Sequence, residues 1–153
     1  MSCCQTQVQE ILDYVHALHV AVLDRYEILE EEALPPRQAF LLDYLLKQEK
    51  NLNETVQRSL KQEGDGVLKA FVDTKMSLDS DKVLEEARLP EHPSTDDLSR
   101  AAFLTRDAII AALKESARCA SDRKVKELFL SLWKLEESER NHIAMSLMQL
   151  DDL

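Results

Sequence analysis

The sequence has very little of what a turn-rich β fold requires. Its 153 residues include only two glycines and four prolines, and aromatic residues make up 5% of the chain. Tight turns depend on glycine and proline, and strands are enriched in aromatic and β-branched residues. Abundant leucine, alanine, glutamate, lysine and glutamine instead favour helix. We therefore predict an all-α chain that forms one domain, 1–153, with enough residues for a substantial core.

Other absences narrow the possible functions. The three cysteines, Cys3, Cys4 and Cys119, form neither a disulfide framework nor a zinc motif. No apolar run approaches the roughly 20 residues that span a bilayer, and residues 1–5 lack the basic and apolar regions of a secretory signal. The net charge of −10 disfavours nucleic acid and anionic membranes as partners. We expect a cytoplasmic protein with reduced thiols and an acidic surface.

Apolar residues spaced three and four apart predict long amphipathic helices. Pro35-Pro36 ends the first of them, because proline lacks a backbone donor and restricts the residue before it. Gly64-Asp65-Gly66 ends the second. Ser94 or Thr95 caps the third. The four predicted helices cover residues 5–33, 37–63, 96–119 and 122–150.

The lengths of the connections predict how these helices are arranged. The connections near 34–36 and 120–122 are short enough only for antiparallel neighbours. The long connection contains two predicted helical pieces, 67–72 and 81–89, and can travel the ~40 Å length of the second helix. We predict a four-helix bundle of two helical hairpins with one long crossover, which is the ferritin-like arrangement. The predicted units are a hairpin over 5–63, a crossover over 64–95 and a hairpin over 96–150.

An internal repeat supports the prediction of two related hairpins. A displacement of 87 residues aligns the first hairpin with the second, without a gap through the short loops. The same displacement pairs His19 with Arg106. Duplication is a hypothesis, because leucine and alanine also match by accident. The identical pairs are Ala21 with Ala108, Ala33 with Ala120, Leu41 with Leu128, Leu45 with Leu132, Lys47 with Lys134 and Glu49 with Glu136.

A few polar residues interrupt the apolar faces of the long helices. His19 lies between Val15 and Val22 in the first helix, and Glu139 and His142 share the apolar face of the last. An ionisable group at such a position is costly to bury unless it is paired or binds something. Bundle proteins build metal sites from carboxylate and histidine side chains that project from several helices into the core.

With these positions, the chain resembles the rubrerythrin and ferritin-like di-iron family over most of its length. That family places a glutamate on the first helix of each hairpin, about seven residues before an aromatic residue, and Glu-x-x-His on the second helix. If Tyr26 is the first aromatic, His19 stands at the first glutamate position. The displacement of 87 residues then puts Arg106 at the equivalent position on the third helix.

The Glu-x-x-His positions are incomplete in this chain. Glu49 on the second helix is followed three residues later by Leu52. On the fourth helix, Glu139-x-x-His142 matches the motif, whereas the repeat favours Glu136, and a three-residue shift keeps nearly the same helix face. The resemblance implies five candidate metal ligands, which are His19, Glu49, Glu136, Glu139 and His142.

Two functions follow from this departure from the family pattern. Iron prefers anionic oxygen ligands, whereas Arg106 brings a permanent positive charge and Leu52 removes an imidazole. One prediction is a degenerate metal centre, in which Arg106 forms a metal-free cluster with Glu136, Glu139 and Glu49. Such a protein is non-enzymatic, has a structural, interaction or regulatory role, and forms a homodimer or binds a protein partner. The alternative is a metal-dependent oxidase or peroxide-handling protein whose altered site holds iron, manganese or another divalent metal.

Overall fold

The computed structural model describes residues 5–74 and 76–151, and most of these residues are helical. The fold class is all-α, as the sequence predicts. None of the described helices is long and apolar enough to cross a membrane. The helices are α1 (Val8–Glu30), α2 (Pro36–Gln62), α3 (Asp65–Leu68), α4 (Ser80–Glu86), α5 (Thr95–Cys119) and α6 (Arg123–Asp151). Two short strands, β1 (Gln5–Gln7) and β2 (Phe71–Asp73), complete the described elements.

The two strands correct the prediction of helix over residues 5–7 and 71–72. β1 and β2 pair antiparallel, with Thr6 opposite the fully buried Val72. The backbone N–H of Val8 also donates to the carbonyl of Ala70 at 2.9 Å, so α1 begins only after this pairing. An aromatic and a β-branched residue in β2 favour the extended conformation. The helical periodicity of the segment was too short to compete with a partner strand that is distant in sequence.

Buried apolar side chains form two clusters, one towards each end of the long helices. The first apolar cluster joins the beginnings of α1 and α6 to the ends of α2 and α5, and includes Ile11, Phe129, Val56 and Leu113. The second apolar cluster joins the ends of α1 and α6 to the beginnings of α2 and α5, and includes Tyr26, Leu150, Leu42 and Leu98. It follows that α1 and α6 run in one direction, and that α2 and α5 run in the other.

The connection between α2 and α5 packs along the long helices. Besides the β1–β2 pairing, Arg25 of α1 donates from its guanidinium to the carbonyls of Leu84 and Ala87, at 2.9 and 3.4 Å. Leu84 lies in the last turn of α4 and Ala87 directly follows this helix, where backbone acceptors lack helical partners. The connection therefore runs beside α1 and leaves the space between the two apolar clusters to side chains of the four long helices.

Candidate functional site: a buried ionic layer

Four ionisable side chains separate the first apolar cluster from the second. Each long helix contributes one of them: His19 from α1, Glu49 from α2, Arg106 from α5 and Glu136 from α6. All four residues are buried, and none is more than 4% exposed. Two anions, a histidine and a guanidinium therefore meet in the interior, where unpaired charge is expensive. We call these four residues the ionic layer.

The ionic layer is a closed ring of ion pairs. The Nδ1 atom of His19 lies 2.5 Å from Oε2 of Glu49, and its Nε2 atom lies 3.0 Å from Oε2 of Glu136. Arg106 donates from Nη2 to Oε1 of Glu49 at 2.7 Å, and from Nη1 to Oε1 of Glu136 at 2.5 Å. Each carboxylate thus pairs with the imidazole through one oxygen and with the guanidinium through the other.

This geometry favours a protonated His19. A neutral imidazole has one donor and one acceptor nitrogen, but both nitrogens of His19 face a carboxylate oxygen. Burial by itself lowers the pKa of His19, but the charges of Glu49 and Glu136 and their hydrogen bonds outweigh it and raise the pKa to about 9. With His19 and Arg106 both charged, the two cations balance the two carboxylates, and the layer is buried without net charge.

The other charges of the layer respond to the same neighbours. Burial by itself raises the pKa of Glu136, but the charges of His19 and Arg106 and their hydrogen bonds hold that pKa below its usual range. Burial likewise opposes the charge of Arg106, and Glu49 and Glu136 reverse the effect, so the pKa of the guanidinium is raised. The charged forms of His19, Arg106 and Glu136 are therefore all favoured in the ring.

Gln48 extends the ionic layer towards α6. Its Oε1 atom accepts from Nη2 of Arg106 at 3.2 Å, and its Nε2 atom donates to the backbone carbonyl and to Oε2 of Glu139, at 2.8 and 3.0 Å. Tyr26 packs on the side of the second apolar cluster, and burial together with the charge of Glu49 raises its pKa. The Nε atom of Arg106 is buried and has no acceptor in the part of the chain that the structure describes.

The structure brings together three of the five predicted ligands and separates the other two from them. His19, Glu49 and Glu136 meet in the ionic layer, together with Arg106. The side chain of Glu139 is 27% exposed, and that of His142 is 52% exposed, with 3.7 Å between His142 Nδ1 and Glu139 Oε1. Of the two registers that the sequence left open on the fourth helix, the layer contains Glu136.

Arg106 pairs with two of its three predicted partners. It contacts Glu136 on the neighbouring helix and Glu49 across the helices. The prediction of Glu139 as a third partner was wrong, because that carboxylate accepts from the Gln48 amide instead. Gln48 was not a candidate in the sequence analysis. Its position next to Glu49, at the edge of the apolar face of α2, is the signal that could have identified it.

The ionic layer does not offer a metal ion a free set of ligands. Both oxygens of Glu49 and both oxygens of Glu136 already pair with His19 or Arg106. Metal binding needs a deprotonated imidazole and available carboxylate lone pairs, and a guanidinium at the same place repels a cation. Within residues 5–74 and 76–151, no group of three or more His, Cys, Asp or Glu side chains is arranged to hold a metal.

Comparison of this chain with family models, with curated proteins and with solved structures returned no match.

Proposed function

We propose that this chain is a ferritin-like bundle whose metal centre has been replaced by an ion-pair ring, and that it has a non-enzymatic structural, interaction or regulatory role. The observation that carries the proposal is that Arg106 donates hydrogen bonds to one carboxylate oxygen of Glu49 and to one of Glu136. In a metal centre these oxygens would face the ion. Here a permanent cation of the chain itself neutralises them.

The directions of the long helices support the ferritin-like part of the proposal. α2 and α5 run in the same direction, since both begin at the second apolar cluster and end at the first. Two parallel helices that follow each other along the chain need a connection that returns over the whole helix length, and this is the role of a long crossover. Three ring members, His19, Arg106 and Glu49, also stand at glutamate positions of the family resemblance, and Glu136 stands at the position that the repeat favours.

Exposed apolar side chains support an interaction role. Most of the large exposed ones lie near the second apolar cluster, at the end of α1, the beginning of α2 and the end of α6. Such side chains are candidates for burial by a partner. We infer that a second copy of the chain, or another cytoplasmic protein, covers this end. The residues, with their exposed fractions, are Ile28 (62%), Phe40 (57%), Met145 (58%) and Met148 (69%).

One observation favours the alternative of a metal-dependent oxidoreductase. The imidazole of His19 and the carboxylates of Glu49 and Glu136 come from three different helices, and the two nitrogens of His19 lie 2.5 Å from Glu49 Oε2 and 3.0 Å from Glu136 Oε2. If Arg106 withdrew, these groups could hold one divalent iron or manganese ion, as hard ligands of this kind do. The two proposals therefore differ in whether Arg106 stays in the ring.

Metal analysis separates the two proposals. The protein is purified without chelator and without a nickel affinity tag, and its iron and manganese are measured per chain. We expect far less than one equivalent, because the ring leaves no free ligand set. Stoichiometric iron or manganese that is lost in Glu136→Ala would overturn the proposal of a degenerate centre and support the oxidoreductase.

A substitution of Arg106 tests the ferritin-like origin of the layer. Arg106→Glu restores a carboxylate at the position where the family has one, so added Mn²⁺ should raise the thermal midpoint of this variant and leave that of the parent unchanged. Arg106→Gln serves if the glutamate variant does not fold, since it also frees both carboxylates. Arg123→Glu, at an exposed position of α6, is the matched control. No metal-dependent rise in either Arg106 variant would contradict a ferritin-like origin.

A further inference from the structure

A cleft of about 250 Å³ lies between the second half of α5 and the first half of α6. It shares no residue with the ionic layer. Ala117 of α5 and the larger Leu130 and Trp133 of α6 form its apolar surface. Three exposed basic side chains surround this surface. The lining residues are Lys114, Ala117, Arg118, Lys126, Leu130 and Trp133.

Two of the three basic groups at the cleft are available to a ligand. Arg118 is neutralised by Glu115, to which it donates at 2.6 and 3.1 Å. Lys114 and Lys126 form no ion pair within the described residues. Two unneutralised ammonium groups beside one apolar cleft are notable in a chain of net charge −10, and their charge favours an anionic occupant.

Trp133 supplies the aromatic wall of the cleft. The Nζ atom of Lys114 lies 5.7 Å from the centroid of the Trp133 ring, which is a cation–π geometry. The indole Nε1–H is buried and has no acceptor among residues 5–74 and 76–151. Trp133 therefore offers an aromatic side chain at the cleft, beside the ammonium group of Lys114.

The other hairpin has the opposite chemistry at the corresponding positions. At the positions 87 residues earlier in the chain, four of the six lining residues are replaced by acidic residues, and none of the six is aromatic. The basic charge and the tryptophan of the cleft are therefore particular to the second hairpin. The pairs are Lys114 with Glu27, Ala117 with Glu30, Arg118 with Glu31, Lys126 with Ala39, Leu130 with Asp43 and Trp133 with Leu46.

We propose that this cleft binds a small aromatic carboxylate. The ring of the ligand packs against Trp133, and its carboxylate lies between the ammonium groups of Lys114 and Lys126, where hydrogen bonds between charged groups are strongest. A cavity of about 150 Å³ is enough for benzene, so about 250 Å³ accommodates one ring and one carboxylate. The proposal does not depend on the function assigned to the ionic layer.

The chain contains a single tryptophan, so its fluorescence and its one indole N–H resonance report directly on the cleft. The probe is phenylacetate, and phenylacetamide is its neutral control. We expect a saturable change in Trp133 emission and in the indole resonance with phenylacetate, with a Kd of about 1 mM or tighter. The amide should bind at least about tenfold more weakly, since it lacks the charge that the lysines recognise.

Substitutions in the cleft complete the test. The double variant Lys114→Gln, Lys126→Gln should weaken phenylacetate binding at least about tenfold, which is 1.4 kcal/mol. Lys47→Gln is the control, because Lys47 is exposed on α2 and pairs with Asp43, and it should leave binding unchanged. Absence of saturation, equal binding of the amide, or full binding by the double variant would overturn the proposal. It would also fall if Trp133 emission changed with protein concentration alone, which indicates a second copy in the cleft, or if an acidic peptide bound in preference to phenylacetate.

Discussion

The two hairpins contribute the same pattern of charge to the ionic layer with different cations. His19 and Arg106 are separated by 87 residues, as are Glu49 and Glu136, and each cation pairs with both carboxylates. The imidazole of His19, whose pKa is raised to about 9, can lose its charge in mildly alkaline solution, whereas the guanidinium cannot. The positions of the ring are therefore repeated in the two hairpins, but only the cation of the first hairpin can be deprotonated at moderate pH.

A second pair of corresponding contacts shows the same divergence. In the first hairpin His16 Nδ1 and Asn53 Oδ1 lie 2.8 Å apart. At the positions 87 residues later, the guanidinium of Arg140 lies 4.8 Å from the ring centroid of Phe103. One site is joined by a part-buried hydrogen bond and the other by a cation–π contact at the surface. Matched substitutions in the two hairpins can therefore measure how far they have diverged.

The largest effect is expected from removal of the permanent cation. Arg106→Ala leaves His19 as the only cation beside two buried carboxylates, so the free energy of unfolding should fall by about 3–5 kcal/mol. Urea unfolding at neutral pH measures this change. Arg123→Ala removes an arginine whose side chain is 91% exposed and should cost less than about 1 kcal/mol. If the thermal midpoint of Arg106→Ala lay within about two degrees of the parent, the arginine would not be holding buried charge.

The second-largest effect on stability is expected from deprotonation of His19. Because the pKa of His19 is raised from 6.5 to about 9, the folded protein binds this proton more tightly than the unfolded chain. The resulting stabilisation is fully present below about pH 6.5 and should be lost between about pH 6.5 and pH 9, by about 3 kcal/mol in total. Urea unfolding across this pH range measures the loss.

The matched control for this titration is another histidine of the chain. His19→Gln should remove most of the alkaline loss, whereas His142→Gln should keep it, because the side chain of His142 is 52% exposed. Parallel pH profiles for the parent and His19→Gln would show that another group causes the loss.

The smallest effect is expected at the two corresponding contacts His16–Asn53 and Phe103–Arg140. Asn53→Ala leaves the part-buried Nδ1 atom of His16 without its partner and should cost about 1 kcal/mol. Arg140→Ala removes a partly exposed guanidinium that also pairs with Asp107 at 2.5 Å, and its cost should be smaller and should decrease with added salt. Equal costs with equal salt dependence would contradict the distinction between the two hairpins.

Much of the helical framework could be predicted from local patterns. Apolar periodicity located all four long helices, and Pro35-Pro36 and Gly64 marked their ends to within a few residues. The pairing of β1 with β2 could not be predicted, because each strand has three residues and its partner is far away in the sequence. A strand of that length carries too little alternation to be recognised.

The sequence predicted the positions of the ionic layer, but it could not predict which glutamate of α6 takes part. The displacement of 87 residues pointed to His19, Arg106, Glu49 and Glu136, and these four form the ring. The choice between Glu136 and Glu139 depended on Gln48 of α2, because its amide donates a hydrogen bond to the carboxylate of Glu139. Sequence periodicity alone could not make that choice, because both positions lie on nearly the same face of α6.

The ring also has a consequence for the order of folding. Two of its pairs, His19–Glu49 and Arg106–Glu136, join residues only 30 apart, whereas His19–Glu136 spans 117 residues. Contacts between nearby residues form fastest. Each hairpin can thus neutralise its own carboxylate before it meets the other, and neither has to carry a bare charge into the interior. The association of the hairpins then joins two neutral dipoles, for which the desolvation barrier is lower than for two ions.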